Sequence, residues 1–255
     1  MTTTIEKYND LQKEILSNFS IRWDGEKCKT TFRDDVKKFY GLEKEFGWNI
    51  ILNSYYIIDD TELAKKSFKQ FDLQGPSRHQ DIGERYLRLY GFLNSVYQQK
   101  LAVDNLMEVF KLAKQIDFAK RLNQNELLIL RNKIGAHPSN YKVVQEDSEH
   151  KFDVYEISRP DLQMDRLRLL RNQNHFENYD LTKAIVIFDK LIEDILCELT
   201  GKIIKKLFNN QGKIYSDYQK INEIKKRSNN GRGNDNKISK QQGITGAWQK
   251  GGLSS

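Results

Sequence analysis

The sequence holds only two cysteines, Cys28 and Cys197. They stand far apart and neither belongs to a CxxC pair, which argues against a structural zinc site and against a disulfide framework. Three prolines and 15 glycines speak against a collagen-like chain, a linker-rich chain, or a β-sandwich punctuated by many tight turns. No apolar run approaches the roughly 20 residues of a membrane-spanning helix. The opening MTTTIEKYND lacks the basic-then-apolar pattern of a secretory signal. The four histidines, His79, His137, His150 and His175, do not show the spacing of a three-histidine metal site. A phosphate-binding glycine loop, HExxH, GxSxG and a dinucleotide fingerprint are all missing. These absences point to a reducing, cytoplasmic setting, with no membrane contact, no metal and no cofactor.

What the chain does contain is aromatic and charged. Thirteen Phe, 12 Tyr and 3 Trp are enough to build a core, so wholesale disorder is not expected. The net charge is +7, but it is unevenly spread. Residues 202–255 carry 12 Lys/Arg and 3 Asp/Glu, which leaves 30 basic and 32 acidic residues in 1–201. The body is therefore close to neutral, and the basicity lies in the last fifth of the chain. The abundance of Lys, Asn and Ile suits an AT-rich, bacterial genome.

Hydrophobic spacing predicts a mostly helical protein. Residues 4–18 place Ile5, Tyr8, Leu11, Ile15 and Leu16 on one helical face, with a Thr available as N-cap. Ile21–Thr31 reads as a loop. Residues 33–58 are helical in period, and Asp59-Asp60-Thr61 is expected to end that helix and cap a shorter one through about Phe71. After the turn cluster at Gly75-Pro76, the segment from Gln80 to about Gln115 carries the broadest apolar stripe. A straight helix of that length would span about 50 Å, so a bend is expected. Tyr86, Tyr90 and Tyr97 on this stripe are expected in the core rather than as base-stacking platforms, and Cys197 as a small buried apolar residue. Residues 117–123 read as a connection. A helix follows from Glu126 to Ile134, ended by Gly135 in the left-handed conformation and by Pro138. Between Tyr141 and Asn174 the period changes, and a small β-meander is expected, with a helix over 162–172 as the alternative. Residues 179–208 return to a strong helical pattern, 213–227 suit a final basic helix, and the polar stretch from Ser228 is expected to be disordered.

Chemistry concentrates in Arg131-Asn132-Lys133-Ile134-Gly135-Ala136-His137-Pro138. A helix C-terminus carries partial negative charge and favours imidazolium. Arg131 opposes that shift, so His137 is expected to titrate near its ordinary value of about 6.5, suited to proton transfer at neutral pH. A guanidinium beside it is a fixed fork for phosphate oxygens. The pair suits attack of a ribose hydroxyl on the adjacent phosphodiester. The plainer reading is that Arg131 pairs at the helix end while His137 caps its carbonyls. Arg78, His79, Arg85 and Arg88, near the start of the long helix, are candidates to bind phosphate in the same cleft; the alternative is a solvated charged face. His175, in Arg171-Asn-Gln-Asn-His, repeats the arrangement at shorter spacing and reads as surface, as does His150.

An Arg followed by a polar residue and, four to six positions on, a His, at the end of a helix in a helical bundle, resembles the motif of the HEPN superfamily. Here five residues separate Arg131 from His137 and Asn132 takes the polar position. Gly75-Pro-Ser-Arg78, Tyr86-Leu-Arg-Leu-Tyr-Gly-Phe-Leu93 and Gln98-Gln99 also resemble a bacterial subset of HEPN-like proteins. The resemblance covers roughly residues 72–208. It implies an up-and-down helical bundle with a β insertion at about 141–174. The organisation would be an N-terminal helical segment (1–71), a HEPN-like core (72–210), and a basic helix with a disordered tail (211–255). It further implies a metal-independent endoribonuclease of a toxin–antitoxin, abortive-infection or antiviral defence system. Such a protein acts as a homodimer whose two motifs line one cleft, sometimes with an antitoxin or other defence partner. Mapped onto this chain, Arg131 binds the scissile phosphate, Asn132 orients it or supports the dimer, and His137 is the acid/base, with Lys133, Arg78, Arg85 and Arg88 as further RNA contacts. The products would be a cyclic phosphate and a free 5′ hydroxyl.

Two other classes stay open. One is a non-catalytic helical module that senses, scaffolds or binds RNA in a defence system. The other is a nucleic-acid adaptor acting through the basic tail.

Overall fold

The computed structural model describes residues 2–20, 47–76, 81–136, 141–142, 152–207 and 217–226. The loop expected at Ile21–Thr31, the first part of the 33–58 helix and the tail from Ser228 lie outside the described residues. So do Cys28, Arg78, His79, His137 and His150. The chain divides into two compact units, Met1–Asn209 and Asn210–Ser255. In the second, residues 217–226 form a helix. The first is mostly helical, with a small antiparallel sheet of three strands. Its helices are α1 (Thr4–Ser20), α2 (Gly47–Phe71), α3 (Ile82–Val109), α4 (Gln115–Asn123), α5 (Glu126–Arg131) and α6 (Leu181–Leu207).

α1 begins as its sequence suggests. The Thr3 hydroxyl accepts from the Glu6 amide at 3.1 Å, and Glu6 accepts from the Thr3 amide at 2.7 Å. This is a reciprocal capping box, which satisfies two backbone donors that a helix start leaves open. Ile5, Tyr8, Leu11, Ile15 and Leu16 are all buried. Two polar residues are buried with them. Asn9 donates to the Tyr55 carbonyl and to Asp59 on α2. Gln12 donates to the Leu196 carbonyl and the Thr200 hydroxyl on α6. The N-terminal segment is thus bonded into the same core as α6.

α2 differs from the sequence expectation. Asp59-Asp60-Thr61 does not end a helix; α2 runs through it to Phe71. The residues that favour caps are occupied elsewhere. Asp59 holds Lys13 and Asn9 of α1. The Thr61 hydroxyl donates back to the Ile57 and Ile58 carbonyls, a bond that lets Thr remain inside a helix. α2 and α3 then pack along each other, with Phe68 stacked on Phe92 at 4.1 Å between centroids.

α3 is capped by Asp81, whose side chain accepts from the Gly83 amide. It ends at Val109, short of the expected Gln115. Lys111 takes a left-handed φ of 51°, which breaks the helical ladder. The residues read as a connection instead form α4, anchored by buried Phe118 and Leu122 one turn apart. Gly75 sits between α2 and α3 with φ 77°, where a Cβ would also meet the Arg88 side chain at 3.4 Å. The left-handed φ favours glycine there, while the Arg88 contact is of ordinary van der Waals length.

The β segment runs further than expected. β1 (Tyr141–Lys142) pairs antiparallel with β2 (Phe152–Asp153). β3 (Tyr155–Ile157), β4 (Arg166–Arg171) and β5 (His175–Asp180) form the three-stranded meander. The alternative helix over 162–172 is not formed, because Leu167 and Leu169 alternate with Arg166, Arg168 and Leu170 at the period of a half-buried strand. Asn172 and Gln173 both take left-handed φ and, with Asn174, turn β4 into β5 between the paired Arg171 and His175. α6 supplies the longest core face, with Ile185, Phe188, Ile192, Ile195, Leu196, Leu199, Ile203 and Ile204 buried. Cys197 is a free thiol at intermediate depth rather than fully buried.

Charge is buried at the centre of the bundle. Lys65 of α2 is 1% exposed and its ammonium meets Glu62 at 2.5 Å and Asp189 of α6 at 2.6 Å. Glu62 also accepts from Gln99 of α3 at 2.8 Å and from the Thr3 hydroxyl at 2.7 Å. Lys69 reaches the second Asp189 oxygen from the surface, with 40% of its side chain exposed. Removing one member of a buried pair costs about 3–5 kcal/mol because the other charge is left uncompensated. An exposed pair contributes about 0–1 kcal/mol. Lys65→Met is therefore expected to destabilise by several kcal/mol, and Lys69→Met by less than about 1 kcal/mol. Urea unfolding of the two variants measures the difference, and equal losses would remove the buried network from its place in the fold.

Candidate functional site

The motif segment is built at the end of a very short helix. The Asn125 side chain caps α5 by accepting from the Leu127 amide at 3.0 Å. Leu127, Leu128 and Leu130 bury α5 against its neighbours. The helix then neither continues to Ile134 nor stops on a left-handed glycine, as the sequence suggested. After Arg131 the backbone widens into a π turn over Asn132–Ala136. Gly75 is the one glycine with positive φ among the described residues, so Gly135 is not a left-handed stop. A π turn inserts one residue into the helical repeat and is often found where side chains serve a function. Here it lets Arg131 and Lys133, two residues apart, face different partners.

Arg131 is half-buried. Its guanidinium lies 4.1 Å from the centroid of the Tyr97 ring on α3 and donates to the Asn132 side-chain oxygen at 3.1 Å. Stacking on an aromatic face holds a guanidinium in plane without consuming its charge. Tyr97 is accordingly not a core residue; it is partly exposed, as is Tyr86, while Tyr90 is exposed. The three tyrosines expected in the core lie at its rim.

Lys133 turns the other way, onto the sheet. Its ammonium donates to Glu177 at 2.6 Å and to the Tyr179 hydroxyl at 3.1 Å. It lies 4.6 Å from the Tyr155 ring centroid, with the Tyr141 and Tyr179 rings at 6.0 and 5.9 Å. Only 12% of the side chain is exposed. Tyr141 meets Tyr155 edge to face. Asp153 fixes the far side: it accepts from Arg171 at 2.7 Å and from the Asn172 amide group at 2.7 Å. Burial pushes the phenols of Tyr155 and Tyr179 up, and the Glu177 charge adds to this. Burial alone would raise Glu177 too. The hydrogen bonds from Lys133 and Tyr179, with the charges of Lys133 and Arg171, outweigh it and hold the carboxyl below its ordinary value.

The other candidates are dispersed. Arg85 is 8% exposed and donates to the Leu162 carbonyl at 2.9 Å. Arg88 donates to the carbonyls of Asp72 and Ser67, joining α3 to the end of α2. At about 1.5 Å per residue, they lie about 18 and 14 Å from Tyr97 along α3. The structure does not bring them to Arg131, and both guanidinium groups are engaged with backbone. His175 begins β5, exposed, across from Arg171, rather than lying in a loop. Arg78 and His137 lie outside the described residues. Sequence reasoning missed Tyr97, Tyr141, Tyr155, Glu177 and Tyr179. One signal was present: Glu177 and Tyr179 alternate in HFENYD, which places them on one strand face.

Among the described residues no group of His, Cys, Asp and Glu is placed to hold a metal ion, and no helix is long and apolar enough to cross a membrane. No protein family, curated protein or solved structure matches the chain.

A carboxyl held below its ordinary value contributes stability that is present above the unfolded value and lost as pH falls through the lowered folded value. For Glu177 that unfolded value is 4.5. The stability difference between wild type and Glu177→Gln is therefore expected to be full at pH 6–7 and to shrink once the pH drops below 4.5. Denaturant unfolding at a series of pH values checks this; a difference that stays constant to strongly acid pH contradicts the pairing.

Proposed function

We propose that this protein is a metal-independent endoribonuclease of the HEPN type, acting in a bacterial defence or toxin–antitoxin setting. The observation that carries the reading is the state of Arg131. Among the described residues the partners of Arg131 are neutral: the Tyr97 ring and the Asn132 amide. Its positive charge is held in place and left available to an anion. A phosphate in a half-buried site is stabilised strongly by such a preorganised guanidinium.

In the proposed reaction His137 takes the proton from the ribose 2′ hydroxyl. That oxygen bonds to the adjacent phosphorus, and the bond from phosphorus to the 5′ oxygen breaks. The leaving oxygen gains a proton, giving a 2′,3′-cyclic phosphate and a 5′ hydroxyl. Arg131 stabilises the charge on the non-bridging oxygens, and Asn132 keeps the guanidinium in plane. A homodimer that pairs two such turns would supply a second His137 to each Arg131.

A second reading keeps the fold without the reaction. Arg85, Arg88 and Lys133 are all engaged within the fold, which suits a helical module that binds a partner rather than cutting RNA.

The readings separate on one assay. Wild type is expected to cleave single-stranded RNA in the presence of chelator, with Arg131→Ala and His137→Ala reduced by at least about a hundredfold. Circular dichroism should show both variants folded. Cleavage that needs added metal, or a fully active His137→Ala, removes the proposed mechanism; no cleavage under any condition supports the module.

A further inference from the structure

The Lys133 ammonium donates two hydrogen bonds into the sheet and lies against an aromatic ring. One meets Glu177 at 2.6 Å and one the Tyr179 hydroxyl at 3.1 Å, while the ammonium lies 4.6 Å from the Tyr155 ring centroid. An ammonium has three donors and no more, and two of them are already taken by the fold. The anchors belong to β3 and β5. Lys133 itself lies inside the π turn, two residues from Arg131, which is held in turn by Tyr97 of α3. The turn is thereby fixed from both sides: from α3 through Arg131 and from the sheet through Lys133.

Resting on the ribonuclease reading above, we infer that Lys133 is a positioning residue. It latches the π turn to the Glu177–Tyr155–Tyr179 face of the sheet and sets the orientation in which Arg131 meets phosphate. Through this side chain the sheet acts on the reaction. A π turn is rare and appears mostly as a single turn, and Lys133 gives this one a side-chain restraint from the sheet. Ile134 is the buried residue of the turn, and it fixes depth rather than the rotation of the turn about its axis. The Lys133 latch fixes that rotation.

Kinetics and amide exchange test the latch together on full-length protein. A displacement of about 1 Å at a reacting group costs on the order of a hundredfold. Lys133→Met and Glu177→Gln are each expected to lower kcat by about ten- to a hundredfold, with KM for a single-stranded RNA little changed. Hydrogen exchange of amides 133–136 should speed up by about tenfold or more, while exchange in α3 and α6 stays as in wild type. Lys133→Arg, which keeps the charge and the aromatic contact, should recover most of both. A direct phosphate contact gives a different pattern: raised KM, unchanged kcat, and a salt dependence of binding reduced by about one unit of slope. That pattern overturns the inference, as does unchanged exchange. Should wild type fail to cleave RNA at all, the ribonuclease reading falls by itself. Exchange then decides the latch alone: faster exchange in Lys133→Met upholds it, and unchanged exchange overturns it.

Discussion

The bundle is organised around a charge it has taken out of water. The Lys65 ammonium sits where α1, α2, α3 and α6 converge, held by Glu62 and Asp189, with Thr3 and Gln99 completing the coordination of Glu62. Removing ions from water is costly, and their mutual attraction offsets this only when the geometry is good and the remaining donors and acceptors are met. That requirement constrains the register of four helices together. Sliding α6 by one residue would turn Asp189 about 100° away from Lys65; sliding α1 would remove Thr3 from Glu62. Asn9 and Gln12 apply the same constraint along α1, because each is fully buried and each donates to another helix. Apolar packing alone tolerates small slips, whereas a buried polar network does not. The core is thus specified by its polar members as much as by its apolar ones.

That rigidity is what gives the Arg131 segment a fixed frame. α5 is too short to be stable as an isolated helix, and its position depends on α3, α6 and the sheet around it. Its π turn then presents two cations in opposite senses. Lys133 is drawn into an aromatic and acidic recess. Arg131 is laid on Tyr97, whose place on α3 depends on the helix packing just described. The arrangement connects the central ion network to the motif through one rigid helix, with no loop between Tyr97 and Gln99.

Much of the helical layout is legible in the sequence because the apolar period is strong in α1, α3 and α6. The misreadings share a cause. Asp59 and Thr61 look like a cap until one knows that Asp59 is claimed by Asn9 and Lys13, 50 and 46 residues away. α4 was invisible because two buried residues, Phe118 and Leu122, are too few to establish a period. Gly135 before a Pro has the composition of a helix stop whether or not its φ is positive. In the candidate site, Arg131 and Asn132 were legible as a local motif. The surroundings of Lys133 were not, since Glu177 and Tyr179 lie 44 and 46 residues on. Local patterns name residues; what a charge meets is decided by tertiary contacts.

The same distinction changes the meaning of the net charge. A nearly neutral body does not attract RNA through a broad field, and a number of its cations are neutralised in place: Lys13, Lys65, Lys66, Lys69, Lys100, Lys133, Arg171 and Lys190 all have carboxylate partners. Affinity for a polyanion would therefore come from few groups, and its dependence on salt would be shallow for the body by itself, since each phosphate neutralised contributes about one unit of slope. Arg131 sits among neutral partners, where the local dielectric is lower than in water and its field is less screened. A single charge so placed discriminates a transition state that gathers negative charge from a ground state that spreads it. In a body whose net charge is close to zero, that selectivity, rather than general basicity, is the physical basis on which a reaction at phosphate would rest.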